Sequence, residues 1–188
     1  MSGHTAPELA RSEPEKTALS AVQELSGADG PLERHGVRVF LIAERLAAER
    51  GVEIDRELLL VAALLHDIGL YQGASRGGVY VTDGAEFTAD LLHPYGWDED
   101  RLQRCFDAIE RHRELRSQWD RGEEVELLRR ADLVDLSAGV VDFGLPRREL
   151  RGLFREVPRD SFYREIGPRL AATAGRRPHT LPLIFFRA

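Results

Sequence analysis

Apolar residues recur at helical spacing along most of the chain, and no segment alternates apolar and polar residues clearly enough to predict a strand. The clearest periodic stretch runs over residues 31–50, where Leu32, Val39, Ile42 and Leu46 share one face and a glycine follows. The pattern therefore predicts an all-α fold.

The most deeply buried helix is predicted between about residues 55 and 68. It contains the sequence LLLVAALL, which is apolar all the way round and is typical of a helix covered on several sides. The stretch LYQGASRGGVYV that follows has three glycines and no period, and we predict a loop there. Other helices are predicted over residues 7–25, 83–93, 99–113, 123–137, 147–155 and 159–174.

The chain is expected to form one helical domain with an extension at each end. Residues 1–28 are predicted to be a peripheral helix, because their apolar residues are few and lie among many charges. Residues 29–174 are predicted to form the domain. Residues 175–188 contain the apolar run LPLIFF, a short C-terminal tail that we expect to pack on the core or on a partner subunit, so a homodimer is one option.

Composition narrows the classes of partner. The 188 residues include 26 basic and 32 acidic ones, and the net charge of −6 argues against a nucleic-acid polymer as partner. No apolar run approaches the length that spans a membrane, and the N-terminus has no signal-peptide pattern. A single cysteine excludes an internal disulfide. We expect a cytoplasmic protein that binds a small molecule.

Four side chains suited to metal binding are predicted on the core-facing sides of three helices: His35, His66, Asp67 and Asp132. His66 and Asp67 are adjacent and point about 100° apart on a helix, so one ion can take both only if it lies at the edge of the helix, which a helix end makes easier. Two imidazoles and two carboxylates balance one divalent ion, and this mixture of donors suits Mn, Fe, Co, Ni or Zn.

The stretches HGVRVFLIAERLA, ALLHDIGL, AIERH and RRADLVDL resemble the HD-domain superfamily of metal-dependent phosphohydrolases. The resemblance covers about residues 33–137 and preserves the order of a His, a His-Asp doublet and a distant Asp. It implies a single HD-type helical domain in which His35, His66, Asp67 and Asp132 ligate a metal, and it implies hydrolysis.

Two features distinguish this chain from parts of that superfamily. Members with two metals have another His near the position of Tyr80, so the resemblance implies one ion here. His112 matches a later His of those members, which leaves a second ion held by Asp67, His112 and a further ligand as an alternative. HD-type deoxynucleoside monophosphatases have a Glu where this chain has Leu70. The segment VYVTDGAEFTADLL is similar to the cyanamide hydratase-like branch, which makes hydration of a small nitrile an alternative.

Further residues are candidates for the reaction. The candidate catalytic groups are Asp67, Asp83, Glu86 and His112. Arg38, one turn after His35, and Arg76, in the glycine-rich loop, are candidates for binding a substrate phosphate, as is His112 for binding substrate. Asp83 and Glu86 also lie where a helix should begin, so capping would explain them equally well.

The sequence therefore predicts a metal-dependent hydrolase that acts on a small phosphorylated metabolite or nucleotide through a metal-activated water. Hydration of a nitrile is one alternative. A non-catalytic HD module that keeps a metal for structure or senses a nucleotide is another.

Overall fold

The helical pattern is confirmed by the computed structural model of the protein, which describes residues 5–159 and 161–174. These residues form nine α-helices and no strand, so the all-α fold class is confirmed. The helices are α1 (Ala6–Leu9), α2 (Glu13–Ser26), α3 (Pro31–Arg50), α4 (Arg56–Leu65), α5 (Tyr80–Leu92), α6 (Glu99–Arg111), α7 (Glu123–Leu136), α8 (Arg147–Glu156) and α9 (Phe162–Ala174).

Local sequence explains where the two central helices begin. Helix α3 starts at Pro31, whose fixed φ suits the first helical position. Helix α4 follows Asp55, whose carboxylate accepts a hydrogen bond from the backbone N–H of Leu58 at 3.1 Å. Every side chain over residues 58–65 is buried, and α4 packs against α2, α3, α5, α6 and α7. The all-apolar helix is therefore covered on several sides, as predicted.

Two glycines let backbones approach closely around α4. A Cβ atom at Gly36 of α3 would lie 2.8 Å from the carbonyl oxygen of Ala63, closer than non-bonded carbon atoms come to oxygen. A Cβ atom at Gly69 would collide with the carbonyl oxygen of Tyr80, the first residue of α5. Gly36 directly follows His35, and Gly69 lies two residues after Asp67. The absence of a side chain at these positions therefore allows close packing beside two of the predicted ligands.

Helix α3 lies against α4 on one side and α7 on another, and it also contacts α9. Helix α6 packs against α4, α5 and α7. His35 faces the core from α3, so this arrangement directs it towards the residues that follow α4 and towards the inner face of α7.

Some helix boundaries differ from the prediction. Helix α4 ends at Leu65, and a 3-10 turn over residues 68–70 follows it. Helix α5 begins at Tyr80, before Asp83, because the Asp83 carboxylate accepts hydrogen bonds from the backbone of the preceding loop instead of capping the helix. The segment 7–25 is divided, since Ser12 and Glu15 form a capping box that starts a second helix.

The division into residues 1–28, 29–174 and 175–188 stays a prediction. Helix α2 contributes the fully buried Ala18 and Val22 to the core and packs against α4. The C-terminal tail lies outside the described residues. None of the described helices combines the length and the hydropathy that crossing a membrane requires.

Candidate metal centre

Four buried side chains from three parts of the bundle meet at one point of the core. His35 comes from α3, His66 and Asp67 directly follow the last residue of α4, and Asp132 comes from α7. Each of the four is at most 2% exposed. The structure thus brings together all the residues that the sequence predicted as metal ligands.

The donor atoms of these side chains are spaced as ligands of one ion are. The Nε2 atoms of His35 and His66 are 3.0 Å apart. Oδ1 of Asp132 lies 3.2 and 3.7 Å from these two nitrogens, and Oδ2 of Asp67 lies 3.7 and 3.6 Å from them. Donors that bind one divalent ion at about 2.0–2.2 Å lie about 3.0–3.5 Å from each other. Two of the distances lie in this range and the other three exceed it by only 0.1–0.2 Å, so the four side chains can converge on a single ion.

The other ring nitrogens of the two histidines set their tautomers. Nδ1 of His35 donates to Oδ2 of Asp135 at 2.6 Å, and Nδ1 of His66 donates to the carbonyl oxygen of Ala63 at 2.8 Å. With both Nδ1 atoms protonated, the neutral rings present only lone pairs at Nε2. Two lone pairs that face each other across 3.0 Å need a cation between them, either a proton or a metal ion.

The carboxylates of the cluster also lack partners. Among the described residues, neither side-chain oxygen of Asp67 nor Oδ1 of Asp132 has a hydrogen-bond partner, although all three atoms are buried. Buried acceptors are almost always satisfied, so unsatisfied ones indicate a missing partner. Together with the facing imidazole nitrogens, they show that the residues present fit a divalent ion.

Electrostatics keep these groups in the forms that bind metals. Burial raises the pKa of the Asp67 carboxyl, but His66, His112 and Arg113 outweigh burial and hold that pKa well below its usual value. The pKa of Asp132 is lowered in the same way, chiefly by the charge of Arg113 against the effect of burial. Both residues are therefore carboxylates at neutral pH.

The pKa of His35 shifts in the opposite direction, although here too the charged neighbours outweigh the effect of burial. Burial lowers the pKa of its imidazole, but the neighbouring carboxylates of Asp132 and Asp135 raise the pKa above its ordinary value. Without a metal the cluster therefore favours a proton on His35. A divalent ion bound by His35 would have to displace that proton, so metal binding would release it.

Arg38 is buried behind the centre. Its Nε and Nη2 atoms donate to the two oxygens of Asp135 at 2.8 and 3.0 Å, and Nη1 donates to the carbonyl oxygen of Pro158 at 2.9 Å. The side chain is 0% exposed. Each of the three guanidinium nitrogens already donates a hydrogen bond within the protein, so these contacts do not favour the predicted binding of a substrate phosphate, which stays a prediction. Instead it holds Asp135, and Asp135 orients His35.

A second group of side chains lies beside Asp67. Nδ1 of His112 donates to the carbonyl oxygen of Ile109 at 2.6 Å, and its Nε2 lies 3.5 Å from Oδ1 of Asp67 and 3.3 Å from the Tyr80 hydroxyl. Nε of Arg113 donates to that hydroxyl at 2.9 Å. His112 is thus in the site, as predicted. Burial contributes most to lowering its pKa, so its ring favours the neutral form.

Tyr80 and Arg113 are site residues that the sequence analysis did not select. Burial raises the pKa of the Tyr80 hydroxyl, so it remains a phenol and donates to Nε2 of His112. Burial lowers the pKa of Arg113, but Tyr80, Asp132 and Asp67 raise it above the usual value, so the guanidinium stays charged. The signal available in the sequence was the position of Arg113 directly after His112.

The remaining candidates lie around the glycine-rich loop. The Asp83 carboxylate accepts hydrogen bonds from the backbone N–H groups of Arg76 and Gly78 at 2.7 and 3.1 Å. The half-exposed Arg76 pairs with Glu86 at 3.0 Å and with Asp90. These contacts hold the loop on α5. Roles of Asp83 and Glu86 in acid-base chemistry and of Arg76 in substrate binding stay predictions, and these contacts do not favour them.

Comparison with known proteins agrees with this geometry. The HD domain family matches residues 32–137, a range that contains all four candidate ligands and more than half of the chain. An uncharacterised protein of Clostridium beijerinckii is 26% identical over 85 residues, which cover 45% of this chain and 54% of that protein. The chain therefore spans about half the length of this relative. Because its His, His-Asp and Asp positions meet at one point inside the matched range, the chain belongs to the HD domain family.

Proposed function

We propose that this protein is a metal-dependent hydrolase of a small phosphorylated metabolite, possessing one divalent ion held by His35, His66, Asp67 and Asp132. The observation that carries the proposal is the pair of imidazole nitrogens 3.0 Å apart next to buried carboxylate oxygens without partners. Membership of a superfamily that consists mostly of metal-dependent phosphohydrolases supports the reaction class.

A divalent ion at such a site supplies a bound water of lowered pKa and polarises a phosphoryl oxygen. The chain's own residues prepare the site for this chemistry. Asp67 and Asp132 carry the negative charge that compensates the ion, and Asp135 fixes the ring of His35. Nε2 of His112 lies 3.5 Å from Oδ1 of Asp67 and takes part in hydrogen bonds with the Tyr80 hydroxyl and Nε of Arg113, so His112 orders this side of the site.

Metal analysis of purified variants tests the ligand set. His66→Ala and Asp67→Ala should each lose stoichiometric metal, because each removes one of the four donors. His93→Ala is the matched control, since His93 is exposed at the end of α5 and should leave the metal content unchanged. Stoichiometric metal in both ligand variants would refute the assignment.

A substrate panel tests the reaction. Phosphomonoesters, linear and cyclic nucleotides, and small nitriles should be assayed with Mn, Co, Ni, Fe and Zn. We expect turnover of phosphorylated compounds, abolished by a chelator while the helical circular dichroism signal survives. Turnover of nitriles alone would replace this proposal with a hydratase. Loss of the helical signal on chelation, with no turnover of any compound, would indicate a structural ion.

A further inference from the structure

The two ligand carboxylates each divide their oxygens between the histidine pair and Arg113. Asp67 turns Oδ2 towards His35 and His66, and its Oδ1 lies 3.9 Å from Nη2 of Arg113. Asp132 turns Oδ1 towards the same histidines, and its Oδ2 lies 3.9 Å from Nε of Arg113. A fixed positive charge therefore lies on the other side of both carboxylates from the predicted ion.

Two nitrogens of the Arg113 guanidinium are available to a ligand. Its side chain is only 6% exposed, and neither Nη1 nor Nη2 makes a hydrogen bond within the described part of the chain. A buried N–H group without an acceptor is costly, and a guanidinium with two free nitrogens matches two oxygens of one oxyanion. The missing acceptor is therefore an anionic group.

The orientation of the guanidinium is fixed before any ligand arrives. Nε of Arg113 donates to the Tyr80 hydroxyl at 2.9 Å, and this hydroxyl lies 3.3 Å from Nε2 of His112. The carbonyl oxygen of Ile109 holds the other nitrogen of His112. This chain of contacts uses Nε and leaves the two terminal nitrogens of Arg113 available. It also occupies the lone pair that His112 would offer to a second metal ion.

We propose that Arg113 anchors the substrate by binding oxygens of its phosphoryl group through Nη1 and Nη2, beside the single ion and in place of a second one. The inference rests on the proposed function and deepens it. The substrate would carry an anionic group with two free oxygens at the reacting end, and a neutral nitrile would leave the two nitrogens without an acceptor.

Binding of inorganic phosphate to the manganese-loaded protein tests this proposal by calorimetry. Arg113→Met should weaken phosphate binding by about 10-fold or more, the loss expected for hydrogen bonds to a charged group. Its manganese affinity should be equal to or higher than that of the wild type, because a positive charge near the ion is removed. Arg111→Met is the matched control: this side chain is 29% exposed, pairs with Asp107 and should leave phosphate binding unchanged.

A second variant keeps the test decisive if Arg113→Met folds poorly. Arg113→Lys retains the charge but not the pair of terminal nitrogens, and its phosphate affinity should fall between those of wild type and Arg113→Met. Equal phosphate affinity in wild type and either folded variant would overturn the proposal for Arg113 alone. Loss of manganese from a folded Arg113→Met protein would also overturn it, in favour of a structural role. Wild-type protein that retains no metal would instead overturn the proposed function.

Discussion

Arg38 illustrates how the role of one side chain depends on what lies next to it in the fold. From the sequence it lies one turn after His35, where an arginine can reach a substrate phosphate. In the fold that face of α3 is covered, and the guanidinium forms a bidentate ion pair with Asp135, which lies 97 residues later in the chain. Arg38 therefore acts on His35 indirectly, because it holds the Asp135 carboxylate that accepts a hydrogen bond from Nδ1 of His35.

We expect Arg38→Met to lower the free energy of unfolding by about 3–5 kcal/mol, because it leaves the buried Asp135 carboxylate without its charge partner. Denaturant unfolding followed by circular dichroism measures this loss. Arg45→Met is a matched control on α3: Arg45 is partly exposed, donates to the carbonyl oxygen of Leu41, and should cost less than about 1 kcal/mol. Equal losses in the two variants would contradict the structural role of Arg38.

Arg113 shows why part of the site could not be predicted from the sequence. An arginine at a helix end is usually exposed, and nothing local indicates burial. Its environment depends on Tyr80, which lies 33 residues earlier and reaches the site only because α5 packs against α6. The four metal ligands were easier to predict, because the apolar residues around them mark which face of each helix turns inward.

At the scale of elements, the crossing of α3 and α4 sets the distance between the two facing histidines. Gly36 directly follows His35 and lies against the backbone of Ala63 and Leu64, just before His66. A side chain at this position would push the two helices apart. The short distance between His35 and His66 therefore depends on a glycine at position 36.

Gly36→Ala should destabilise the protein by about 1–3 kcal/mol through overpacking, and it should weaken metal binding because His35 moves away from His66. Thermal unfolding and metal titration measure the two effects. Gly152→Ala in α8 is the matched control, since a Cβ atom there meets nothing within 4 Å. That control should gain about 0.5–1 kcal/mol from helix propensity. A Gly36→Ala protein with normal stability and normal metal affinity would show that the crossing is not tight.

The sequence predicted the helices well where periodic apolar residues report burial, as in α3 and α4. It predicted boundaries poorly where tertiary contacts decide them. The Asp83 carboxylate binds the preceding loop, and so α5 starts at Tyr80 instead of at Asp83. This earlier start is what places the Tyr80 hydroxyl beside His112.

At the scale of the whole molecule, acid stability depends on buried carboxylates that bind arginines. Glu126 on α7 accepts hydrogen bonds from Arg129, Arg130 and the backbone of Gln118, each at 2.7 Å. Burial raises its pKa, but these partners lower the pKa to about 2. The contacts tie α7 to the segment that follows Arg113.

Because the pKa of Glu126 is lower in the folded protein than its ordinary value of 4.5, its stabilisation is complete above about pH 4.5 and is lost as the pH falls towards about 2. Glu126→Gln should therefore lower the free energy of unfolding near neutral pH by up to about 3 kcal/mol. Between about pH 2 and 4.5, the free energy of unfolding of this variant should depend less on pH than that of the wild type. Glu123→Gln, an exposed position on the same helix, should behave like wild type. Parallel stability curves for wild type and Glu126→Gln between pH 2 and 4.5 would contradict this expectation.

Asp132 and Asp135 lie one turn apart on α7, the first among the donor atoms and the second against the outer nitrogen of His35. A slide or rotation of that single turn would remove a ligand and release the neighbouring imidazole in the same movement. Metal ligation by Asp132 and the orientation of His35 by Asp135 therefore depend on the position of one helical turn.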